Sequence, residues 1–151
     1  MHRTSRQIRN ISFLVLVMIF ALLVGLFSLG GRLNWFPTAL LIVLAIALAV
    51  LGLVVVVLTV RLNEVRTRKA FFLLAGGSAA GMPICALLHN VVYALFILWF
   101  GEGFWERHGK DEAVFFILAI VVCPALFVVG TIGSMVFFAK DFHDRCPRTQ
   151  Q

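Results

Sequence analysis

Residues 38–60 read TALLIVLAIALAVLGLVVVVLTV. The stretch carries no charge, and its only polar side chains are Thr38 and Thr59. A helix crossing about 30 Å of hydrocarbon needs roughly 20 apolar residues. Backbone groups inside a bilayer must be satisfied within the structure, which favours a helix here. The run lacks the apolar/polar alternation of a barrel strand, so a transmembrane barrel is excluded. With no polar handle along its length, this helix suits lipid contact. It argues against four equivalent walls around a polar pore.

Three more uncharged runs flank it. One lies between Arg9 and Arg32 with its core at 11–29. The next lies between Lys69 and Glu102, at about 70–100, and the last between Glu112 and Lys140, at 113–139. The quoted run itself extends over about 37–60. The connections 30–36, 61–69 and 101–112 are short, which places consecutive helices side by side and antiparallel. The expected fold is all-α: an integral membrane four-helix bundle, one membrane domain over 1–151 with tails at 1–10 and 140–151. The first run has the basic flank of a signal peptide (Arg3, Arg6, Arg9) and a Ser28-Leu29-Gly30 end. Its apolar core exceeds the usual h-region of about 7–15 residues, so it is read as a span.

Composition agrees. The chain has 151 residues, 62% hydrophobic and only 13% charged, with a mean hydropathy of +1.02. Soluble domains are nearer half apolar and a quarter charged. An ordinary soluble enzyme, a disordered chain and a disulfide-stapled module are excluded. The net charge is +6. The basic residues flank apolar runs, where they orient the chain and meet anionic lipid rather than nucleic acid. With four spans, ten Lys and Arg fall on the side of the two tails and three on the other. That asymmetry predicts both termini in the cytoplasm. Together with the chain's size, it predicts a multi-pass protein of the bacterial inner (plasma) membrane. Trp35, Phe36, Trp99, Phe104 and Trp105 fit an aromatic belt at the outer interface.

Polar and small residues gather in the last two spans. Gly77 and Gly81 form GxxxG, and Gly130 and Ser134 repeat that spacing, with Gly133 adjacent. Such spacing lets helix backbones approach closely. It serves either packing of spans three and four within one chain or an interface between chains. Pro83 and Pro124 each remove a backbone donor at matching depth. Broken helices of this kind form transporter sites, but they also occur as plain kinks.

His89, beside Asn90, is the only histidine within a span. Cys85, His89 and Tyr93 follow at i, i+4 and i+8, on one helix face. Cys85 is 15 residues past Ala70 and Cys123 is 16 before Ala139. In antiparallel neighbours those depths agree. Cys85, His89 and Cys123 are therefore candidate ligands for a soft metal, or redox groups. The competing reading makes the cysteines small hydrophobes and His89 a cross-helix hydrogen bonder. His89, Asn90 and Tyr93 are alternatively polar contacts for a small solute.

The loops read plainly. The basic turn 61–69 is expected to anchor topology and touch lipid head groups. The outer loop holds His108 and four carboxylates, Glu102, Glu106, Asp111 and Glu112. A divalent cation is conceivable there, though such carboxylates are usually solvated. No phosphate-binding, dinucleotide, zinc-protease or nucleophile-elbow motif occurs, and no paired CxxC. No span core carries Asp, Glu, Lys or Arg, which argues against an ion-driven pump. The sequence thus predicts a non-enzymatic protein without a cofactor. Its expected partners are the lipid bilayer and other membrane subunits or further copies of itself. Solute transport and metal or redox duty are the alternatives.

Overall fold

A computed structural model describes residues 2–30, 38–101, 103–104 and 113–145. Among them the chain is all-helical. Helix α1 spans His2–Gly30, α2 Thr38–Arg61 and α3 Arg66–Phe100. The last span is compound: α4 (Val114–Ile117), a π-helical turn (Leu118–Val122) and α5 (Cys123–Arg145). Four stretches are long and apolar enough to cross a membrane: Thr4–Leu29, Ala39–Arg61, Arg66–Phe100 and Val114–Lys140. The expected spans are all present. α1 and α3 begin earlier than expected, because Arg and Lys are tolerated in a helix once past the hydrocarbon. At 1.5 Å per residue α3 is about 52 Å long, longer than the hydrocarbon it would cross. The expectations for Trp35, Phe36, Pro37, Trp105, Cys146 and the outer-loop charges fall outside the described residues.

Consecutive helices are neighbours: α1 packs on α2, α2 on α3, and α3 on the compound fourth span. Aromatic rings close the fourth side. Phe20 of α1 meets Phe127 of α5 at 4.4 Å between centroids. Phe13, Phe72 and Phe138 form a triad, with Phe72 edge-on to Phe13 at 5.1 Å and to Phe138 at 5.7 Å. The buried core is Phe13, Leu16, Leu48, Val55, Phe72, Ala75, Ala79 and Phe127.

One close helix approach involves the span expected to face lipid. A Cβ on Gly52 would lie 2.7 Å from the Gly76 carbonyl oxygen, and one on Gly76 would lie 2.9 Å from the Gly52 oxygen. The two backbones therefore touch, with no side chain between them. α2 exposes Leu40, Ile42, Val43, Ile46, Val50, Leu53, Val54, Val57 and Val60. Its other side belongs to the core as fully as spans three and four do. On the far side of α3, a Cβ on Gly130 would lie 2.6 Å from the Ala75 nitrogen, and one on Gly133 would run into the Phe71 ring.

Among the described residues, two of the four buried hydroxyls bond within their own helix, the usual solution away from water. Thr59 Oγ1 donates to the Val55 oxygen at 2.6 Å, and Ser78 Oγ to the Leu74 oxygen at 2.6 Å. The π-helical turn sits directly before Pro124. There the missing N–H and the ring's clash with the carbonyl four residues back oppose regular α geometry. The Cys123 N–H accordingly reaches back five residues to the Leu118 oxygen.

Candidate functional site

The polar stripe of α3 faces the fourth span. Gly81 lies against Cys123, whose Sγ would be 3.1 Å from a Cβ at position 81. Cys85 lies one turn along α3 on the same face. At the depth read from residue counts, Cys123 meets α3 one turn from Cys85. Both are free thiols and half-buried.

One turn farther, the His89 ring packs on Phe116 with centroids 5.5 Å apart. Asn90 is exposed, and its Nδ2 donates to the Ala86 oxygen at 2.8 Å, so its amide serves its own helix. Tyr93 is 37% exposed. Among the described residues, no three His, Cys, Asp or Glu side chains converge as metal ligands. Of the Cys85, His89 and Cys123 trio, the structure seats Cys123 on α3 one turn from Cys85. Two surface hollows, one along Val50, Val54 and Val57 and one along Leu14, Met18 and Leu22, are lined by aliphatic side chains. Neither touches the polar stripe.

The small-residue set divides. Gly81 and Gly130 sit in the α3 contact with the fourth span, and Ser134 is wholly buried. Ser134 Oγ and Thr131 Oγ1 have no hydrogen-bond partner. A Cβ on Gly77 would meet nothing within 4 Å. Gly77 therefore takes no part in packing within the chain.

The turn between α2 and α3 holds a cluster that sequence reading took for a lipid-facing anchor. Glu64, with a side chain only 5% exposed, gathers three guanidiniums. Arg9 Nη1 donates to Glu64 Oε2 at 2.6 Å. Arg6 Nε is 3.2 Å from Oε1, and Arg68 Nε is 3.6 Å from Oε2. The Arg9 side chain is fully buried, and its guanidinium stands 4.1 Å above the Phe72 ring. Arg68 lies over Phe138 at 6.0 Å. Asn10 Oδ1 accepts two further bonds from Arg9. Lys69 Nζ donates to the Val60 oxygen at 2.9 Å, capping the C-terminus of α2. The cluster thus caps the phenylalanine triad with charge and ties α1 to the α2–α3 turn. One signal in the sequence pointed to it: Glu64 is the only carboxylate in the first 101 residues.

No protein-family model, no curated protein and no solved structure matches the chain.

Proposed function

We propose that this is a multi-pass membrane protein that acts without catalysis, through helix–helix contact, as a small subunit of a larger assembly or as a homo-oligomer. The observation that carries this reading is the open position of Gly77. The other glycines of α2, α3 and α5, at 52, 76, 81, 130 and 133, each meet a neighbouring helix. Gly77 meets none and is exposed. A glycine on the outer face of a spanning helix leaves a notch into which another helix can pack closely. In this reading the Arg- and Lys-rich end, with both termini, faces the cytoplasm of a bacterial plasma membrane. The ten-to-three asymmetry of basic residues supports that orientation.

The test is native mass spectrometry of protein extracted from its own membranes in mild detergent, wild type against Gly77→Leu. The wild type is expected at an assembled mass, which also reports whether the partner is another subunit or a second copy. Gly77→Leu is expected to keep the fold and lose that mass. An unchanged assembly in Gly77→Leu removes the proposal. Gly76→Leu serves as the contrast, because it damages the fold itself.

A further inference from the structure

Cys85 and Cys123 come from different helices, and the Cys123 sulfur rests against Gly81, one turn from Cys85. A disulfide needs Cα atoms about 4.4–6.8 Å apart, whereas packed helix axes are commonly about 8–10 Å apart. Gly81 favours a closer approach here. With hydrogen alone in place of a side chain, it lets the Cys123 sulfur rest on the α3 backbone one turn from Cys85. The backbone is interrupted on both sides. Pro83 lies two residues before Cys85, and Pro124 follows Cys123 directly, at the end of the π-helical turn. Such interruptions admit small local adjustments that a regular helix resists. Both thiols keep part of their surface outside the bundle, where a spanning helix meets acyl chains.

The geometry points to a reversible dithiol–disulfide site formed by Cys85 and Cys123, oxidised by a lipid-soluble alkyl hydroperoxide. One sulfur attacks the terminal oxygen of ROOH. The O–O bond breaks, the alkoxide leaves with the thiol proton as ROH, and the sulfur becomes a sulfenic acid. The second sulfur then displaces the sulfenic oxygen. The S–S bond forms, the S–O bond breaks, and hydroxide departs with the second thiol proton as water. Two electrons pass from the sulfurs to the peroxide. The new bond ties α3 to the fourth span in the part of the bundle where few residues are fully buried.

The test uses the full chain in liposomes with Cys146→Ser, which leaves Cys85 and Cys123 as the remaining thiols. tert-Butyl hydroperoxide is the oxidant. After quenching and denaturation, N-ethylmaleimide and intact-mass measurement count the free thiols. Before oxidation both thiols take label. Afterwards labelling is expected to fall ~10-fold or more, with the unlabelled chain lighter by two hydrogen atoms. A phosphine reductant is expected to restore the label, and peptide mapping to place the bond between Cys85 and Cys123. Cys85→Ser and Cys123→Ser are each expected to abolish this reversible protection within one chain. Three results overturn the proposal: both thiols still labelled at a dose that oxidises the denatured chain, loss of label only as sulfinic or sulfonic acid, or a bond that joins two copies.

Discussion

The two ends of the bundle are built on different principles. At the end with the α2–α3 turn, Arg9, Phe13, Leu16, Val55, Thr59, Leu62, Phe72, Ala75, Ala79, Phe127 and Ser134 are all buried. Toward the other end, residues 17–29, 39–47 and 82–100 contain none that is buried, and 113–126 contain only Ala119. Glycine contacts, an aromatic triad and an ion cluster lock the first end. The second carries both in-helix prolines, the π-helical turn, the thiol pair and a local aromatic group. There Gly101, at φ +85°, ends α3 and turns Phe104 back onto Phe96 and Phe100 at 5.3 and 4.9 Å. The contrast shows that apolar length alone does not pack helices. Close packing is found where small or charged residues give the helices something specific to meet.

Substitutions at the two ends test this contrast. Glu64→Ala removes the shared partner of Arg6, Arg9 and Arg68 and leaves the buried Arg9 charge uncompensated. Stability is expected to fall by about 3–5 kcal/mol, read by denaturation in mixed micelles. A loss under 1 kcal/mol would show that the first end is held by its rings and glycines alone. Gly52→Ala adds one methyl against the Gly76 carbonyl and forces the α2–α3 contact apart. It is expected to cost about 1–3 kcal/mol in the same assay. At the open end, Gly101→Ala puts a side chain where φ is positive and is expected to cost about 1–2 kcal/mol. Its effect should be confined to the Phe96–Phe104 group, visible as a change in aromatic near-ultraviolet dichroism. Asn90→Ala touches an exposed amide bonded only to its own helix, so its change is expected to stay within about 0.5 kcal/mol. A large loss at Asn90 would mean that the second end is packed more specifically than its exposure implies.

Much of the fold was legible in the sequence, because each span lies between charges and hydrocarbon thickness fixes its length. That Cys123 meets α3 one turn from Cys85 was legible for a related reason. Depth in a membrane is a one-dimensional coordinate that residue counting measures. Rotation about the helix axis is different. Gly77 and Gly81 share a motif, yet one points out of the bundle and the other onto Cys123. That distinction depends on where the neighbouring helix stands. Gly52, inside an otherwise aliphatic run, carried no pattern to separate it from a lipid-facing residue. Pro124 marked a disturbance in the fourth span, but not that a widened turn would absorb it. Arg9 looked like a flanking anchor because its partner is distant in the chain, although the rarity of Glu64 was visible.

That distance has a consequence for how the protein is made. Arg9 and Glu64 are 55 residues apart. Ribosomes add roughly 5–20 residues per second, so Arg9 is made seconds before the carboxylate that neutralises it. The ion cluster can therefore form only once the turn between the second and third helices has been made.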